Sequence, residues 1–265
     1  MVAPAGVVAL LTDFGLRDHY VGVMKGVILS VNVHAKIIDI SHEIGSQDIL
    51  DAYFLLSNTY RYFPHGTVFV AVVDPGVGSD RAVVAVEADR YTFLAPDNGL
   101  LGFLEKEDRI RRIVQVKNEK YFLKPVSNTF HGRDIFAPVA GHLSQGIDLL
   151  DLGPELPRIQ KIAAPSPKMT QEGVIVGEVV SIDRFGNLVT NIPGERLAAS
   201  DAVEVKFGKS QIRRLSSSYA SAKKGELLAI VGSTGNVEIS VNKGDARKKT
   251  GARVGDAVRV RHSKK

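Results

Sequence analysis

An aspartate and an arginine close together in the sequence are the residues best placed to do chemistry. Residues 68–73 are all apolar, and they are followed at once by Asp74, a Pro-Gly turn and then Arg81. This pattern predicts a buried strand that ends at Asp74 and a tight loop that returns Arg81 toward it. Ligands of open α/β sheets bind beyond the strand ends. The pair is therefore expected to face a ligand site, although a structural salt bridge explains it equally well.

Two more polar residues are candidates for the same region. Asp13 follows an apolar run over residues 7–11, and a carboxylate there can accept hydrogen bonds from both hydroxyls of a ribose or cap a helix. His131, in a loop before a predicted helix, is the best general-base candidate among the 7 histidines. A site for Mg²⁺ or Mn²⁺ is a further possibility, with the ligands Asp13, Asp48, Asp74, Asp97 and His131.

The second half of the chain carries an unusually polar turn over residues 183–187. Asp183 can pair with an ammonium group, Asn187 can both donate to and accept from an amino acid, and Phe185 can cover a base or a cation. A bulged hairpin turn is the structural alternative. Ser233, in a Ser-Thr-Gly sequence, offers a hydroxyl and backbone donors suited to a carboxylate, or forms another turn.

The composition excludes several classes of protein. The 265 residues, 44% hydrophobic and 24% charged, are typical of a soluble globular protein. The absence of cysteine excludes disulfides and thiolate chemistry and is compatible with the cytoplasm. The N-terminus lacks the basic region of a signal peptide, and no apolar stretch approaches the ~18 residues of a membrane span.

The net charge of +5 is concentrated near the C-terminus. The basic residues there have no interleaved aromatic residues, so nucleic-acid binding is not expected. We predict that they form a solvated surface and a frayed tail. They are Lys243, Arg247, Lys248, Lys249, Arg253, Arg259, Arg261, Lys264 and Lys265.

The elements that must position these residues fall into two groups. Apolar runs alternate with segments of helical periodicity at 19–31, 47–63 and 134–143, which predicts an α/β domain over residues 1–160, with a mostly parallel sheet flanked by helices. Strands are predicted at 7–11, 36–40, 67–73, 82–88, 91–95, 110–116 and 121–123.

A different pattern follows a proline-containing segment, in which residues 161–172 are the predicted linker. Short β-prone runs separated by Gly, Asn, Ser and Lys predict a smaller β-barrel domain over residues 173–265, with almost no helix. The predicted strands are 174–183, 188–190, 202–207, 211–215, 227–231, 237–241 and 257–260.

Five separated motifs together resemble the S-adenosyl-L-methionine (SAM) hydroxide adenosyltransferase family. Its members are also called SAM hydrolases (adenosine-forming), and they are relatives of the fluorinating and chlorinating SAM enzymes. The motifs are TDFG at 12–15, DPGVG at 74–78 with Arg81, APDNGLL at 95–101, TFHGRD at 129–134 and IDRFGNLVTNI at 182–192.

The resemblance implies a reaction in which water or hydroxide attacks the ribose C5′ of SAM and gives adenosine and L-methionine, with no cofactor and no metal. It also implies a homotrimer that holds SAM between the N-terminal domain of one subunit and the C-terminal domain of the next. Two alternatives to SAM hydrolysis stay open: a non-catalytic protein that binds adenosine or SAM, and a metal-dependent phosphohydrolase.

The resemblance also gives each candidate residue a role. Asp74, Arg81 and His131 match the water-activating triad of the hydrolases. Gly132 stands where the halogenating branch has its halide-binding serine, which favours hydrolysis. Thr234 and Gln47 depart from that branch, where an arginine binds the methionine carboxylate and a tryptophan covers the ribose. The implied substrate contacts are Asp13 to the ribose, Asp183 and Asn187 to the methionine amine, Ser233 to its carboxylate, and Phe185 and Asn242 to the adenine.

Overall fold

The computed structural model describes residues 3–197 and 203–262. The chain divides into two compact units, Met1–Ile162 and Ala163–Lys265. The division falls within the proline-containing segment between residues 153 and 173. Most of that segment has no regular secondary structure.

The first unit is built on a six-stranded sheet with the order β2-β1-β3-β5-β4-β6. The first three ladders, from β2 to β5, are parallel, whereas β4 runs antiparallel to both β5 and β6. The prediction of a mostly parallel sheet is confirmed. The strands are β1 (Val7–Thr12), β2 (Lys36–Ser41), β3 (Val68–Val72), β4 (Val83–Ala88), β5 (Tyr91–Pro96) and β6 (Ile110–Gln115).

Helices cover both faces of this sheet, as the continuous burial of β1 and β3 requires. On one face Met24 and Ile28 pack with Phe136 against alternate residues of the central strands. On the other face Tyr60 contacts Phe69. The helices are α1 (Tyr20–Val31), α2 (Ile49–Thr59), α3 (Gly102–Lys106) and α4 (Ala137–Gln145), with a π-helix (Gly132–Phe136) directly before α4.

One predicted strand of the first unit is wrong. Residues 121–123 do not pair with the sheet, and the chain instead forms a 3-10 helix at Glu119–Tyr121. The Asn118 side chain accepts a hydrogen bond from the Lys120 N–H, which caps this turn. The Tyr121 ring then packs at 5.0 Å from the His142 ring of α4. A three-residue run is too short for periodicity to tell a strand from such a turn.

The second unit is a nearly closed, barrel-like sheet, which confirms the predicted C-terminal barrel. The strand order is β11-β10-β15-β8-β9-β14-β13-β12, with β7 paired to β8. Its ladders are antiparallel apart from β12 with β13. The strands are β7 (Lys168–Met169), β8 (Ile175–Ile182), β9 (Leu188–Pro193), β10 (Val203–Phe207), β11 (Ser210–Ile212), β12 (Leu215–Ser216), β13 (Leu227–Val231), β14 (Asn236–Val241) and β15 (Ala257–His262).

The basic C-terminal stretch is not a frayed tail up to residue 262. It forms a helix, α5 (Ala246–Thr250), and then β15, which confirms the strand predicted over residues 257–260 and pairs with both β10 and β8. Val258 and Val260 are fully buried, whereas Arg259 between them is exposed. Alternation along a strand therefore places the positive charges on the outer face. Ala202, predicted to begin a strand, and Lys264 and Lys265 lie outside the described residues.

Candidate active site

The carboxyl ends of β1 and β3 open onto a cavity of about 330 Å³ in the first unit. These two strands are parallel neighbours, so the polar residues that follow them lie at one edge of the sheet. Asp13 follows β1, Asp74 comes shortly after β3, and His131 lies directly before the π-helix. All three line the cavity. The structure therefore brings together residues separated by more than 100 positions in the sequence.

Arg81 connects Asp74 to His131. Its Nε lies 3.0 and 2.9 Å from the two carboxylate oxygens of Asp74, and its Nη2 lies 2.5 Å from Oδ2. The same Nη2 lies 2.7 Å from His131 Nδ1. The side chains of Arg81 and Asp74 are only 12% and 6% exposed. The predicted pairing of Asp74 with Arg81 is therefore present as a largely buried ion pair that also holds the histidine.

The direction of these hydrogen bonds fixes the tautomer of His131. A guanidinium donates and cannot accept, so His131 Nδ1 must accept from Arg81 and the neutral ring carries its proton on Nε2. Burial, and secondly the positive charge of Arg81, lower the pKa of His131, although Asp74, Asp134 and a hydrogen bond with the Ser127 backbone act in the opposite direction. His131 is therefore held as a neutral ring whose remaining polar group is the Nε2–H donor.

The titration of His131 tests this arrangement. We expect its pKa, followed by NMR of the ring protons, to lie below the ordinary value of 6.5. Arg81→Met should raise this pKa, and Asp74→Asn should lower it further, because each variant removes one nearby charge. The pKa of His142, which is lowered by burial and Lys120, should not change in either variant.

The same shift has a consequence for stability. Because the His131 ring binds a proton more tightly in the unfolded chain than in the folded one, its contribution to the free energy of unfolding is complete above pH 6.5 and is lost as the pH falls.

The NMR titration can also contradict the arrangement. If the pKa of His131 is unchanged in both Arg81→Met and Asp74→Asn, the contact with Arg81 does not exist in solution.

The loop after Asp74 is shaped to lie against the loop that carries His131. Gly78 has a φ of +79°, and a Cβ atom there would lie only 2.3 Å from the backbone oxygen of Asn128. Only glycine allows this close approach. The end of β3, directly before Asp74, is fixed by Asn98, whose side chain donates to the Val73 carbonyl at 2.9 Å. The Asn-Gly sequence after β5 therefore supports the site rather than lining it.

Asp13 is held by an unusual backbone conformation at Gln47. The Gln47 N–H donates to Asp13 Oδ2 at 2.8 Å, and Gln47 itself has a φ of 63°. Such a left-handed conformation is costly for a residue with a side chain, and it is concentrated at functional sites. Asp13 does not cap α1, whose N-cap residue is His19. The carboxylate keeps lone pairs that can accept from a ligand.

An aromatic wall completes the cavity, and sequence reasoning missed it. Phe14, Tyr20 and Phe130 line the cavity together. The Tyr20 and Phe130 rings meet edge to face at 5.0 Å, and Phe14 lies 5.8 and 6.0 Å from them. A Cβ atom at Gly132 would lie 3.0 Å from Phe130 and 3.3 Å from Phe14. The absence of a side chain at Gly132 therefore leaves the space that the rings of Phe14 and Phe130 occupy.

In the second unit, the predicted turn organises itself around Asp183. Its Oδ1 accepts from the N–H groups of Phe185 and Asn187 at 2.8 and 2.9 Å, and its Oδ2 accepts from Asn187 Nδ2 at 2.8 Å. These bonds fit the structural alternative of a stabilised turn, and they leave Oδ2 with capacity for a further donor. Phe185 projects from the turn with 75% of its surface exposed.

The two remaining candidates of the second unit differ in their contacts. Ser233 is exposed in the turn between β13 and β14. The Asn242 side chain donates to the Ala222 carbonyl at 2.7 Å, which ties down the loop before β13. The side-chain oxygen and the second N–H of Asn242 are the groups left to bind a ligand.

Two findings concern other functional classes, and both apply to residues 3–197 and 203–262. No group of three or more His, Asp or Glu side chains comes together as a metal site would require. The metal-site hypothesis for the five residues predicted above therefore has no support in their placement. No helix in these ranges has the length and apolar character needed to cross a membrane.

Comparison with known proteins decides the family. Residues 8–153 match the SAM hydroxide adenosyltransferase N-terminal domain, and residues 177–259 match the C-terminal domain of the same family. The chain belongs to the SAM hydroxide adenosyltransferase family. The resemblance of the five motifs is thereby confirmed.

Relatives within and near this family extend over most of the chain. It is 37% identical to a Thermus thermophilus protein named (R)-S-adenosyl-L-methionine hydrolase, over 96% of this chain and 98% of the relative. It is 29% identical to a fluorinase from Actinoplanes over 70% of this chain and 71% of that enzyme. A crystal structure of an uncharacterised conserved protein from Thermotoga maritima is similar at 37% identity, with a TM-score of 0.89 over 96% of this chain and 99% of that one.

Proposed function

We propose that this protein hydrolyses SAM, with water attacking the ribose C5′ and giving adenosine and L-methionine. One observation carries the proposal: a single cavity collects Asp13, Asp74 and His131, with Arg81 joining the last two. The relatives named (R)-SAM hydrolase, at 34–37% identity over most of the chain, support the same reaction.

The geometry suggests a division of labour among the three polar residues. Arg81 donates to both oxygens of Asp74. Oδ1 accepts from Nε alone, so it keeps a lone pair that can accept a hydrogen bond or a proton from water. His131 has only its Nε2–H to donate, and we assign it to orient the water, in competition with the Ser127 backbone, which also makes a hydrogen bond with the ring. Asp74 is therefore the proposed proton acceptor, and His131 and Arg81 are the groups that fix the geometry.

The proposed reaction is a displacement of methionine from C5′ by water, and it requires no other catalytic group of the protein. The water oxygen bonds to C5′, the C5′–S bond breaks, and its electron pair stays on sulfur as the neutral thioether of methionine. The water proton passes to Asp74. Positive charge disappears from sulfur during the reaction, so the aromatic wall of Phe14, Tyr20 and Phe130 does not oppose it. No cofactor or metal takes part in this proposal.

Incubation of the purified protein with SAM, with and without EDTA, tests the reaction. We expect adenosine and methionine in equal amounts, quantified by chromatography, at the same rate with and without chelator. Tight adenosine binding without turnover would favour the non-catalytic alternative. Chelator-sensitive phosphate release from a phosphoester would favour the phosphohydrolase.

We assign the rest of the substrate to the second unit, and we propose a cytoplasmic homotrimer in which another copy provides these contacts. The first unit supplies groups for the ribose and the water, whereas the candidates for the amino acid and the adenine lie in the second. Asp183 and Asn187 would bind the amine, Ser233 the carboxylate, and Phe185 and Asn242 the adenine.

Mixed oligomers test the shared site. Asp74→Asn and Asp183→Asn should each lower turnover at least about 10²-fold alone. Both changes keep the shape of the side chain, so Oδ1 at position 183 can still accept the turn's N–H groups. Coexpressed in equal amounts, they should restore about a quarter of the parental turnover, because some sites then combine two intact halves. Light scattering should give the mass of three 28.7 kDa chains. Failure of the mixture to recover turnover would place both halves of each site in one chain.

A further inference from the structure

A network of polar side chains behind the Asp13 loop, buried at Thr12 and His42, is not used by the proposed mechanism. Thr12 is the last residue of β1, and its hydroxyl lies 2.8 Å from His42 Nδ1. His42 Nε2 lies 3.0 Å from Asp39 Oδ1, and Asp39 Oδ2 lies 2.6 Å from Lys25 Nζ. The network therefore runs from a partly exposed ion pair to the strand end that carries Asp13.

The network cannot be catalytic, because its central groups do not reach the cavity. Thr12 is fully buried and His42 is 3% exposed, and neither is among the residues that line the cavity. The Thr-His-Asp order resembles a nucleophile triad, but a buried hydroxyl has no path to a substrate. A positioning role is what its placement allows.

The donors and acceptors of the network follow one another in a consistent order, with an electrostatic contact rather than a hydrogen bond between His42 and Asp39. Burial would raise the pKa of Asp39, but the contacts and charges of Lys25 and His42 outweigh burial and lower it. An ionised Asp39 attracts the Nε2–H of His42, although that contact is close in distance and poor in direction. His42 Nδ1 then accepts from the Thr12 hydroxyl, and Thr12 Oγ1 accepts from the Phe14 N–H at 3.2 Å.

A backbone hydrogen bond also connects the network to the loop over residues 12–15. The Gly15 N–H donates to the His42 carbonyl at 2.7 Å. A register shift between Leu10 and Leu11 pairs Leu11 with Ser41, which brings His42 beside the end of β1. Bulges of this kind often redirect side chains next to functional sites. Asp13 thus lies between two residues, Thr12 and Phe14, that the network holds.

We propose that Thr12 and His42 are positioning residues, which fix the loop over residues 12–15 so that the Asp13 carboxylate meets both ribose hydroxyls. This inference rests on the proposed ribose role of Asp13. It predicts that loosening the network weakens recognition of the 2′-hydroxyl without removing any group that touches the ligand.

The test compares the affinities for adenosine and 2′-deoxyadenosine by calorimetry. The parental protein should prefer adenosine, and Thr12→Val should reduce this preference about tenfold, since the valine matches threonine in shape but makes neither hydrogen bond. Thr12→Ser keeps the hydroxyl and should retain the preference. Asp39→Asn, at the partly exposed end of the network, should reduce it in the same direction and provides a second variant if Thr12→Val does not fold.

Thr67→Val is the matched control. Thr67 is also fully buried and its hydroxyl also makes a hydrogen bond, to the Pro64 carbonyl at 2.7 Å, but it lies before the start of β3, away from the cavity. Thr67→Val should lower the free energy of unfolding by about as much as Thr12→Val and keep the parental preference for adenosine over 2′-deoxyadenosine. If a general loss of packing caused the effect, both variants would lose the preference alike.

Asp13→Ala separates the two proposals. If Asp13→Ala keeps the preference for adenosine, the ribose assignment is wrong and the positioning role is wrong with it. If Asp13→Ala loses the preference while Thr12→Val and Asp39→Asn keep it, only the positioning role is overturned. Loss of the preference in all three, with Thr67→Val at the parental value, supports both.

Discussion

Asp74→Asn is expected to lower kcat for SAM hydrolysis by about 10²–10⁴-fold, the usual contribution of a positioned proton acceptor. The substitution keeps the shape of the side chain but removes its charge, and with it the ability to take a proton from water. The affinity for adenosine should stay within about threefold of the parental value, because Asp13 rather than Asp74 is proposed to bind the ribose. Steady-state kinetics and calorimetry measure the two quantities.

A surface ion pair provides the control for Asp74→Asn. Glu107 pairs with Arg61 in the same unit, with both side chains partly exposed. Glu107→Gln should leave kcat unchanged, since such exposed pairs contribute little. Parental turnover by Asp74→Asn would show that the ion pair with Arg81 is only a loop clamp.

Arg81→Met is expected to lower both stability and activity. It leaves the Asp74 carboxylate, 6% exposed, without its counter-charge. Breaking a buried pair in this way costs about 3–5 kcal/mol in the free energy of unfolding. Turnover should also fall by at least about 10²-fold, because neither Asp74 nor His131 is then held in place. Urea unfolding and steady-state kinetics give the two values.

The double variant Asp74→Asn/Arg81→Met separates structure from catalysis. It removes the buried uncompensated charge, so it should regain most of the lost stability. It should not regain turnover. If the double variant recovers both stability and kcat, the pair has no role in the reaction; if it stays as unstable as Arg81→Met, the unpaired charge is not the cause of the loss.

The parts of the site that could be predicted from sequence are those set by local chain geometry. A buried apolar run ending in Asp74 and a Pro-Gly turn forces the chain to reverse, and Arg81 lies within reach of that reversal. The strand that precedes Asp13 gave the position of its carboxylate in the same way. These inferences needed only the ends of two strands and the rule for ligand sites in open sheets.

The parts that could not be predicted depend on contacts between distant segments. Phe14 and Phe130 form one wall although 116 positions separate them, and each could equally have been a core residue. The Thr12 and His42 pairing depends on a register shift between two strands. The left-handed backbone of Gln47 has no local signal, because neither glycine nor asparagine marks the position.

Charge misled the prediction for the C-terminal segment. Its many basic residues suggested a frayed tail, whereas the strand predicted over residues 257–260 is present as β15, with Val258 and Val260 in the barrel core. The alternation of apolar and basic residues was therefore the more reliable signal in this segment. The short helix α5 was missed for a related reason: it depends on Asp245, whose side chain accepts from the Lys248 N–H.

Hydrolysis of SAM in water enriched in ¹⁸O tests the central claim most directly. The account predicts that the adenosine formed by the purified protein carries ¹⁸O in its 5′-hydroxyl, detected by mass spectrometry, and that the methionine carries none. Asp74→Asn should form this labelled adenosine at the reduced rate given above. Adenosine without the label, or no release of adenosine and methionine from SAM, would contradict the attack of water at C5′.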